Sequence, residues 1–224
     1  MPWVDQLRGL AIVLMVIFHF CYDLRYFGYA DWDVPDGAGW WQFRFLILTL
    51  FITTLGVSLY LAHADRVRWR KYVIRLALLV LSAAAITLMS LFLFPTGWIY
   101  FGILHFMAVA TVLGIAFVVK PRLAFFVGLS ILVFYWTGTV TKGWPFAGLS
   151  WVPDYTEDYV SLFPWLGVAL VGIGLGPTVR SLPRFHLPVA GNALGLLGKH
   201  ALLIYLVHQP IFFAGFLSVG WLSA

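Results

Sequence analysis

Seven mainly apolar stretches follow one another along this chain, near 7–28, 41–63, 73–95, 99–119, 122–140, 160–177 and 197–219. Each is about 17 to 25 residues long, which is the length of an α-helix that crosses the roughly 30 Å of hydrocarbon in a bilayer. Because a backbone in lipid must satisfy its own hydrogen bonds, each stretch is predicted to be a helix. The predicted fold class is therefore all-α, a polytopic membrane bundle of about seven transmembrane helices.

The composition supports the same class. Of 224 residues, 62% are hydrophobic and 10% are charged, whereas about 25% are charged in a soluble domain. No polar block of domain size interrupts the chain, so residues 1–224 are interpreted as one transmembrane domain. The net charge of +5 would suggest nucleic acid in a soluble protein. The cations lie in short loops instead, so no nucleic-acid partner is expected.

The positions of lysine and arginine predict the topology. With a cytoplasmic N-terminus, 11 of the 14 cations lie on the inside, namely Arg8, Arg66, Arg68, Arg70, Lys71, Arg75, Lys120, Arg122, Arg180, Arg184 and Lys199. An odd number of spans then puts the C-terminus outside, and one miscounted span would reverse that. The first apolar run is not expected to be a cleaved signal peptide, because no small-residue cleavage site follows it.

The first helix carries three polar side chains on one stripe. At about 100° per residue, Arg8 and His19 lie about 20° apart, and Asp23 lies about 40° further round. At 1.5 Å per residue, His19 is about 16 Å past Arg8, near the middle of the bilayer. Polar groups at that depth need partners or a wet cavity, so the stripe predicts a cavity.

The last helix holds a second histidine at a matching depth. His208 lies about 13 Å past Lys199, on the same side as Arg8, so the two deep histidines are expected to meet at one level. Pro210 frees a backbone carbonyl one turn back, and Tyr205 is one turn before His208. A polar notch is predicted there.

Further polar residues lie nearer the outer side. His105 begins the fourth span, and Gln42 and Arg44 begin the second. A different interpretation stays open for the deep residues, in which each histidine packs with satisfied hydrogen bonds and Arg8 and Asp23 mark helix ends. Three histidines near predicted loops are expected to be solvated: His63, His186 and His200.

Three other stretches have two interpretations each. The basic loop 66–71 is a positive-inside anchor, or it also attracts the phosphates of a coenzyme. The glycine-rich run 167–176 lacks the preceding strand of a nucleotide-binding loop, so Gly172 and Gly176 are predicted to allow close helix packing. Residues 179–196 are a loop or an interfacial helix. The spacing of histidine, cysteine and carboxylate residues indicates no metal site.

The run Asp5-Gln6-Leu7-Arg8-Gly9-Leu10-Ala11-Ile12-Val13-Leu14-Met15-Val16, followed by His19, resembles the opening helix of the transmembrane acyltransferase superfamily. Within it, the chain is similar to the heparan-α-glucosaminide N-acetyltransferase catalytic-domain-like family of small prokaryotic membrane proteins. Three further stretches match that family, 100–108, 162–167 and 198–211. The resemblance spans most of the chain.

This resemblance implies an integral protein of a prokaryotic cytoplasmic membrane that moves an acyl group, acetyl above all, from cytoplasmic acyl-CoA to an acceptor outside. In such enzymes an arginine near the cytoplasmic end of the first helix and a histidine three turns deeper serve the acyl-CoA site and the chemistry, and Arg8 and His19 match them. Better-known relatives have ten or more helices. A chain of about seven helices is therefore expected to be active alone, to need a homodimer, or to have lost catalysis.

The predicted reaction assigns a role to each candidate. His19 takes the proton of the acceptor, directly or after carrying the acyl group itself. Asp23 orients its ring, and His208 and Tyr205 polarise the thioester oxygen. The other assignments are coenzyme phosphates for Arg8, Lys199, Arg68, Arg70 and Lys71, and a sugar or lipid-linked sugar acceptor for His105, Gln42 and Arg44.

Two other classes of function compete with acyl transfer. A small proton-coupled transporter would use the same intramembrane histidine and aspartate, and it predicts an internal repeat with matched broken helices. Pro164 and Pro210 interrupt helices, but their surroundings do not correspond. A non-catalytic scaffold predicts no affinity for acyl-CoA.

Overall fold

The computed structural model describes residues 1–142, 149, 151–183 and 189–222, with the side chains of 189–191 and 220–222 left aside. Over these residues the chain forms eight α-helices and one short 3₁₀ helix, and no β-strand. They are α1 (Pro2–Tyr26), α2 (Trp40–His63), α3 (Trp69–Leu93), α4 (Ile103–Gly114), the 3₁₀ helix (Ile115–Phe117), α5 (Pro121–Trp136), α6 (Trp165–Ser181), α7 (Val189–Lys199) and α8 (Ala201–Leu222). The all-α prediction is confirmed.

Four helices of the described chain are long and apolar enough to cross a membrane. They are α1, α2, α3 and the part of α8 from Ala201 to Val219, and two shorter apolar segments are Ile103–Phe117 and Pro121–Trp136. Proline begins α1 and α5 within the first turn, where its missing N–H would have had no partner inside the helix. The membrane-protein prediction agrees with this pattern.

The predicted last span, 197–219, differs from the structure at its start. The chain forms two helices there, since α7 ends at Lys199 and α8 begins at Ala201. The segment left open as a loop or an interfacial helix contains the first residues of α7. A mainly apolar run therefore contains a helix break, which lies at Lys199 and His200.

The chain divides into two compact units. We call Met1–Phe51 together with Pro183–Ala224 the terminal unit, and Ile52–Leu182 the central unit. Helix α2 contributes its first half to the terminal unit and its second half to the central unit. The interpretation of residues 1–224 as one domain stays a prediction.

In the terminal unit, α1 packs against α7 at two glycines. A Cβ on Gly9 would overlap the carbonyl oxygen of Leu194, and a Cβ on Gly198 would overlap that of Asp5. Because the earlier residue of α1 meets the later residue of α7, these two helices run antiparallel. Only glycine lets the two backbones approach so closely.

Helix α8 runs in the same direction as α1. Ring centroids of Phe20 and Phe212 lie 5.5 Å apart, and those of Phe27 and Phe216 lie 5.0 Å apart. Later residues of α1 thus meet later residues of α8. The aromatic contacts bury the seam between the two helices that carry the deep histidines.

In the central unit, glycines also allow helices to pack closely. A Cβ on Gly172 would lie 2.6 Å from the carbonyl oxygen of Thr53, and one on Gly176 would overlap the ring of Tyr60. The predicted packing role of these two glycines is confirmed. Its buried cluster consists of Leu59, Tyr72, Val118, Ala124, Leu170 and Ile173.

Three histidines are expected to be solvated, and the structure gives a different answer for each. His200 is exposed as predicted, and His186 lies outside the described residues. The prediction for His63 is wrong, because its side chain is only 2% exposed. Its Nδ1 accepts a hydrogen bond of 3.1 Å from the backbone N–H of Arg68, just before α3. The ring is buried since it satisfies a backbone donor at the start of a helix.

Candidate active site

His19 of α1 and His208 of α8 lie against each other inside the terminal unit. Their ring centroids are 4.9 Å apart, with the ring planes at 69°, and His208 is only 7% exposed. The meeting of the two deep histidines, expected from their depths along the helices, is confirmed. Two imidazoles from opposite ends of the chain therefore form one cluster.

The hydrogen bonds of these rings reveal which nitrogen carries the proton. Nδ1 of His19 lies 3.0 Å from the carbonyl oxygen of Met15, and Nδ1 of His208 lies 2.8 Å from that of Tyr205. A carbonyl oxygen only accepts, so both Nδ1 atoms donate. In the neutral rings both Nε2 atoms then keep a lone pair. Nε2 of His208 is buried and has no hydrogen-bond partner among the described residues.

Aromatic side chains surround this imidazole pair. The Phe18 ring lies 5.7 Å from that of His19, and it also contacts Trp40 at 6.1 Å and Phe43 at 5.9 Å. Phe212 lies 6.0 Å from His208. Such walls exclude water and strengthen any electrostatic interaction inside them.

Asp23 lies one turn beyond His19 and is completely buried. Its Oδ1 accepts a hydrogen bond of 2.7 Å from Nε2 of Gln209. The His19 ring is oriented by the Met15 carbonyl instead, so the partner of Asp23 is on the other helix. Two buried acceptors of this pair, Oδ2 of Asp23 and Oε1 of Gln209, find no donor among the described residues.

Gln209 is the site residue that sequence reasoning missed. A signal existed, because it is a polar side chain deep in an apolar span and lies between His208 and Pro210. Its pairing with Asp23 joins residues 186 positions apart. Spacing along one helix cannot reveal such a contact.

Arg8 and Lys199 come together where α1 meets the end of α7. Nη1 of Arg8 donates to Oδ1 of Asp5 at 2.9 Å and to the carbonyl oxygen of Gly198 at 3.4 Å. That carbonyl is in the last turn of α7, where a cation is favourable. Lys199 follows at once and is exposed. The structure thus brings two of the five predicted phosphate-binding cations together.

The other three predicted phosphate ligands are Arg68, Arg70 and Lys71. They are exposed at the start of α3, in the central unit. Nearby, Arg180 makes a two-pronged contact with the exposed Asp65, with N–O distances of 2.8 and 3.2 Å. The guanidinium holds the pKa of this carboxyl below its usual value through that hydrogen bond.

Gln42 and Arg44 lie near the start of α2. Oε1 of Gln42 accepts a hydrogen bond of 2.7 Å from the backbone N–H of Gly39, which satisfies a donor at the helix N-terminus. Arg44 is half-buried. The role of both residues in substrate binding stays a prediction.

His105 belongs to the central unit, and both its ring nitrogens are engaged. Nδ1 accepts from the backbone N–H of Gly102 at 3.3 Å, which leaves Nε2 as the donor to Oγ1 of Thr87 at 3.1 Å. The Thr87 hydroxyl donates in turn to the carbonyl oxygen of Ile99 at 2.7 Å. This chain of bonds holds the start of α4. Its role in substrate binding stays a prediction.

The described residues contain no group of three or more histidine, cysteine, aspartate or glutamate side chains that could hold a metal ion. Separately, the terminal unit brings together two imidazole rings with Nε2 lone pairs and, one turn away, a buried carboxyl group.

A family model described as heparan-alpha-glucosaminide N-acetyltransferase, catalytic, matches residues 1–210. No curated protein and no solved structure gave a match. The matched region contains α1 to α7 and the first half of α8, including both deep histidines and Gln209.

Proposed function

Since the chain belongs to the heparan-alpha-glucosaminide N-acetyltransferase catalytic family, we propose that it is a membrane-embedded acyltransferase. It moves an acyl group, acetyl above all, from cytoplasmic acyl-CoA to an acceptor on the other side of the membrane. The observation that carries the proposal is the imidazole pair of His19 and His208, 4.9 Å apart. A basic nitrogen between apolar spanning helices suits a reaction in which an acceptor must lose a proton.

The proposed topology has seven crossings, a cytoplasmic N-terminus and an external C-terminus. The parallel course of α1 and α8 supports an odd number of crossings. With 11 residues, α7 is only about 16 Å long, roughly half the thickness of the hydrocarbon layer. The proposal takes α7 as the helix that does not cross, which leaves seven crossings among the eight helices of the described residues. The cation-rich loops supply the direction.

In the proposed reaction, His19 acts through Nε2. The acceptor X–H attacks the thioester carbonyl, the X–H proton passes to Nε2, and a C–X bond forms. The C–S bond then breaks, and the proton leaves with the coenzyme as its free thiol. In the alternative order, Nε2 attacks first and carries the acyl group before the acceptor takes it. The Nδ1–H of His19, held by the Met15 carbonyl, keeps Nε2 available in both orders.

The negative charge that develops on the thioester oxygen needs donors. In its neutral form His208 has no N–H left to offer, since its Nδ1–H is held by the Tyr205 carbonyl. It therefore acts as a donor only after Nε2 has gained a proton. The Tyr205 hydroxyl, on a ring 5.7 Å from that of His208, and the Arg44 guanidinium donate without that step.

The coenzyme enters from the cytoplasmic end of α1. Arg8 and Lys199 bind its phosphates there. The extended pantetheine arm spans roughly 15 to 20 Å, which compares with the rise of about 16 Å from Arg8 to His19. The acceptor, a sugar or a glycolipid, approaches from the outer side, where Gln42 and Arg44 are the proposed contacts.

Transfer from labelled acetyl-CoA in proteoliposomes tests the proposal. The His19→Ala variant is expected to lose activity by a factor of about 10² or more, the usual contribution of a general base. Ile17→Ala, a substitution of an exposed apolar residue on the same helix, is the matched control. Full activity in His19→Ala would exclude His19 as the base.

A thermal shift with acetyl-CoA separates an acyltransferase from a scaffold, since a ligand of the native state must raise its stability. The shift is expected to persist in His19→Ala, because the phosphates bind elsewhere. Solute flux without acyl-CoA, together with no thermal shift, would favour a transporter instead.

A further inference from the structure

The hydrogen bond between Asp23 and Gln209 ties α1 to α8 in the buried part of the terminal unit. The distance from Nε2 of Gln209 to Oδ1 of Asp23 is 2.7 Å, which is short for a hydrogen bond from nitrogen to oxygen. Asp23 is 0% exposed. Loss of Gln209 as its partner would leave a buried carboxyl without compensation, which is the costly way to lose a hydrogen bond.

This bond lies next to the imidazole pair on both helices. Asp23 follows His19 by one turn of α1, and Gln209 is bonded directly to His208 in the chain. Because α1 and α8 run parallel, this bond fixes the position of α8 along α1. It does so immediately beyond the two imidazole rings. A shift of α8 along α1 would break it.

The two rings do not hold each other by hydrogen bonds. Each Nδ1 is used by a carbonyl of its own helix, and Nε2 of His208 has no partner in the part of the chain that the structure describes. The ring separation of 4.9 Å therefore depends on how the helices are held. Pro210 follows Gln209 within α8 and removes one backbone hydrogen bond there. The position of α8 beside α1 therefore depends more on the side-chain bond between Gln209 and Asp23.

We infer that Gln209 is a positioning residue: its amide, bound by Asp23, holds the Nε2 of His208 beside His19. The inference rests on the proposed acyl transfer for its kinetic consequence, while its geometric consequence stands independently of it. In this role Asp23 acts as a hydrogen-bond acceptor for Gln209. Its charge is not required.

Two variants separate positioning from charge. Gln209→Met keeps the length of the side chain and removes the bond to Asp23. Asp23→Asn removes the charge but keeps an acceptor for the Gln209 amide. Gln6→Met is the matched control, since Gln6 is also buried in the terminal unit, with an Oε1 lacking a partner among the described residues.

The kinetic readout is acetyl transfer at saturating acetyl-CoA. For Gln209→Met, kcat is expected to fall about 10- to 100-fold, as for a misplacement of roughly 1 Å in a catalytic group. KM for acetyl-CoA is unchanged, because the interaction lost is one that serves the reacting geometry. Activity falls less in Asp23→Asn, which keeps an acceptor for the Gln209 amide, than in Gln209→Met, and Gln6→Met keeps most of the activity. Loss of activity in Asp23→Asn, equal to that in Gln209→Met, would overturn the inference.

The geometric readout is solid-state NMR of the full chain in lipid with ¹⁵N- and ¹³C-labelled histidine. A through-space contact between the His19 and His208 rings is expected in the parent protein, Asp23→Asn and Gln6→Met, and is lost in Gln209→Met. Persistence of the contact in Gln209→Met would overturn the inference, whatever the activity. If the contact is lost there but no variant, parent included, transfers acetyl, the positioning role stands and the proposed function fails.

Discussion

The terminal and central units each contain a half-buried or buried histidine cluster, and the two clusters use their nitrogens differently. In the central unit, His105 engages both ring nitrogens, with Gly102 and Thr87. In the terminal unit, His19 and His208 each bind one carbonyl through Nδ1, which leaves Nε2 with its lone pair. A ring whose two nitrogens are satisfied stabilises a fold, whereas a ring with a spare buried nitrogen is available to a substrate.

The largest expected effect comes from removing the spare nitrogen of His208. His208→Ala is expected to lower kcat for acetyl transfer by a factor of about 10². Some loss of stability accompanies this change, because truncating a buried ring leaves a cavity and removes the hydrogen bond to the Tyr205 carbonyl. Kinetics in proteoliposomes and thermal unfolding in the same detergent measure the two effects. A strong loss of stability with normal kcat would make His208 a packing residue like His105.

The next prediction concerns the close packing of α1 against α7 in the terminal unit. Gly198→Ala places a Cβ against the Asp5 carbonyl and is expected to cost about 1–3 kcal/mol through forced separation of α1 and α7. Gly215→Ala in α8 is the control, since nothing lies within 4 Å of its added Cβ. Denaturation in mixed detergent micelles measures both. Equal stability of the two variants would show that α1 and α7 are not closely packed.

His105→Ala tests a histidine of the central unit. It is expected to lower the free energy of unfolding by about 1–3 kcal/mol, since a buried N–H and a hydroxyl lose their partners. The specific activity of the folded fraction is expected to stay within a small factor of the parent. Thr87→Val, which removes the next bond in the same chain, should have a similar but smaller effect. If acceptor binding is lost in His105→Ala and kept in Thr87→Val, the result would support the predicted substrate role of His105.

The smallest effect concerns the exposed pair of Asp65 and Arg180. Because the folded pKa of Asp65 is lowered by Arg180, the pair contributes stability above the ordinary pKa of about 3.9 and loses it as the pH falls through the lowered value. Asp65→Asn should therefore lower the unfolding temperature slightly near pH 7, by an amount that shrinks to nothing at acid pH. Asp154→Asn, at another exposed acid, is the control. A difference that grows at acid pH would contradict the expected sign.

Part of the site follows from single-helix geometry. The stripe of Arg8, His19 and Asp23 and the matching depth of His208 both depend on the rise and turn of one helix, and the structure brings the two histidines together as expected. The partner of Asp23 did not follow, because hydrogen bonding between α1 and α8 depends on their register. The burial of His63 depends likewise on a backbone N–H outside its own helix.

The sequence by itself determined the helical class, the approximate spans and the level at which the two deep histidines meet. These properties depend on the thickness of the bilayer and the period of the α-helix, which act on each segment separately. Only the tertiary structure decided that α7 and α8 are separate helices, that α8 runs parallel to α1, and that Gln209 binds Asp23. It also decided which imidazole nitrogens are left with lone pairs. Those properties depend on contacts between residues nearly two hundred positions apart and on side-chain orientation, which no local pattern encodes.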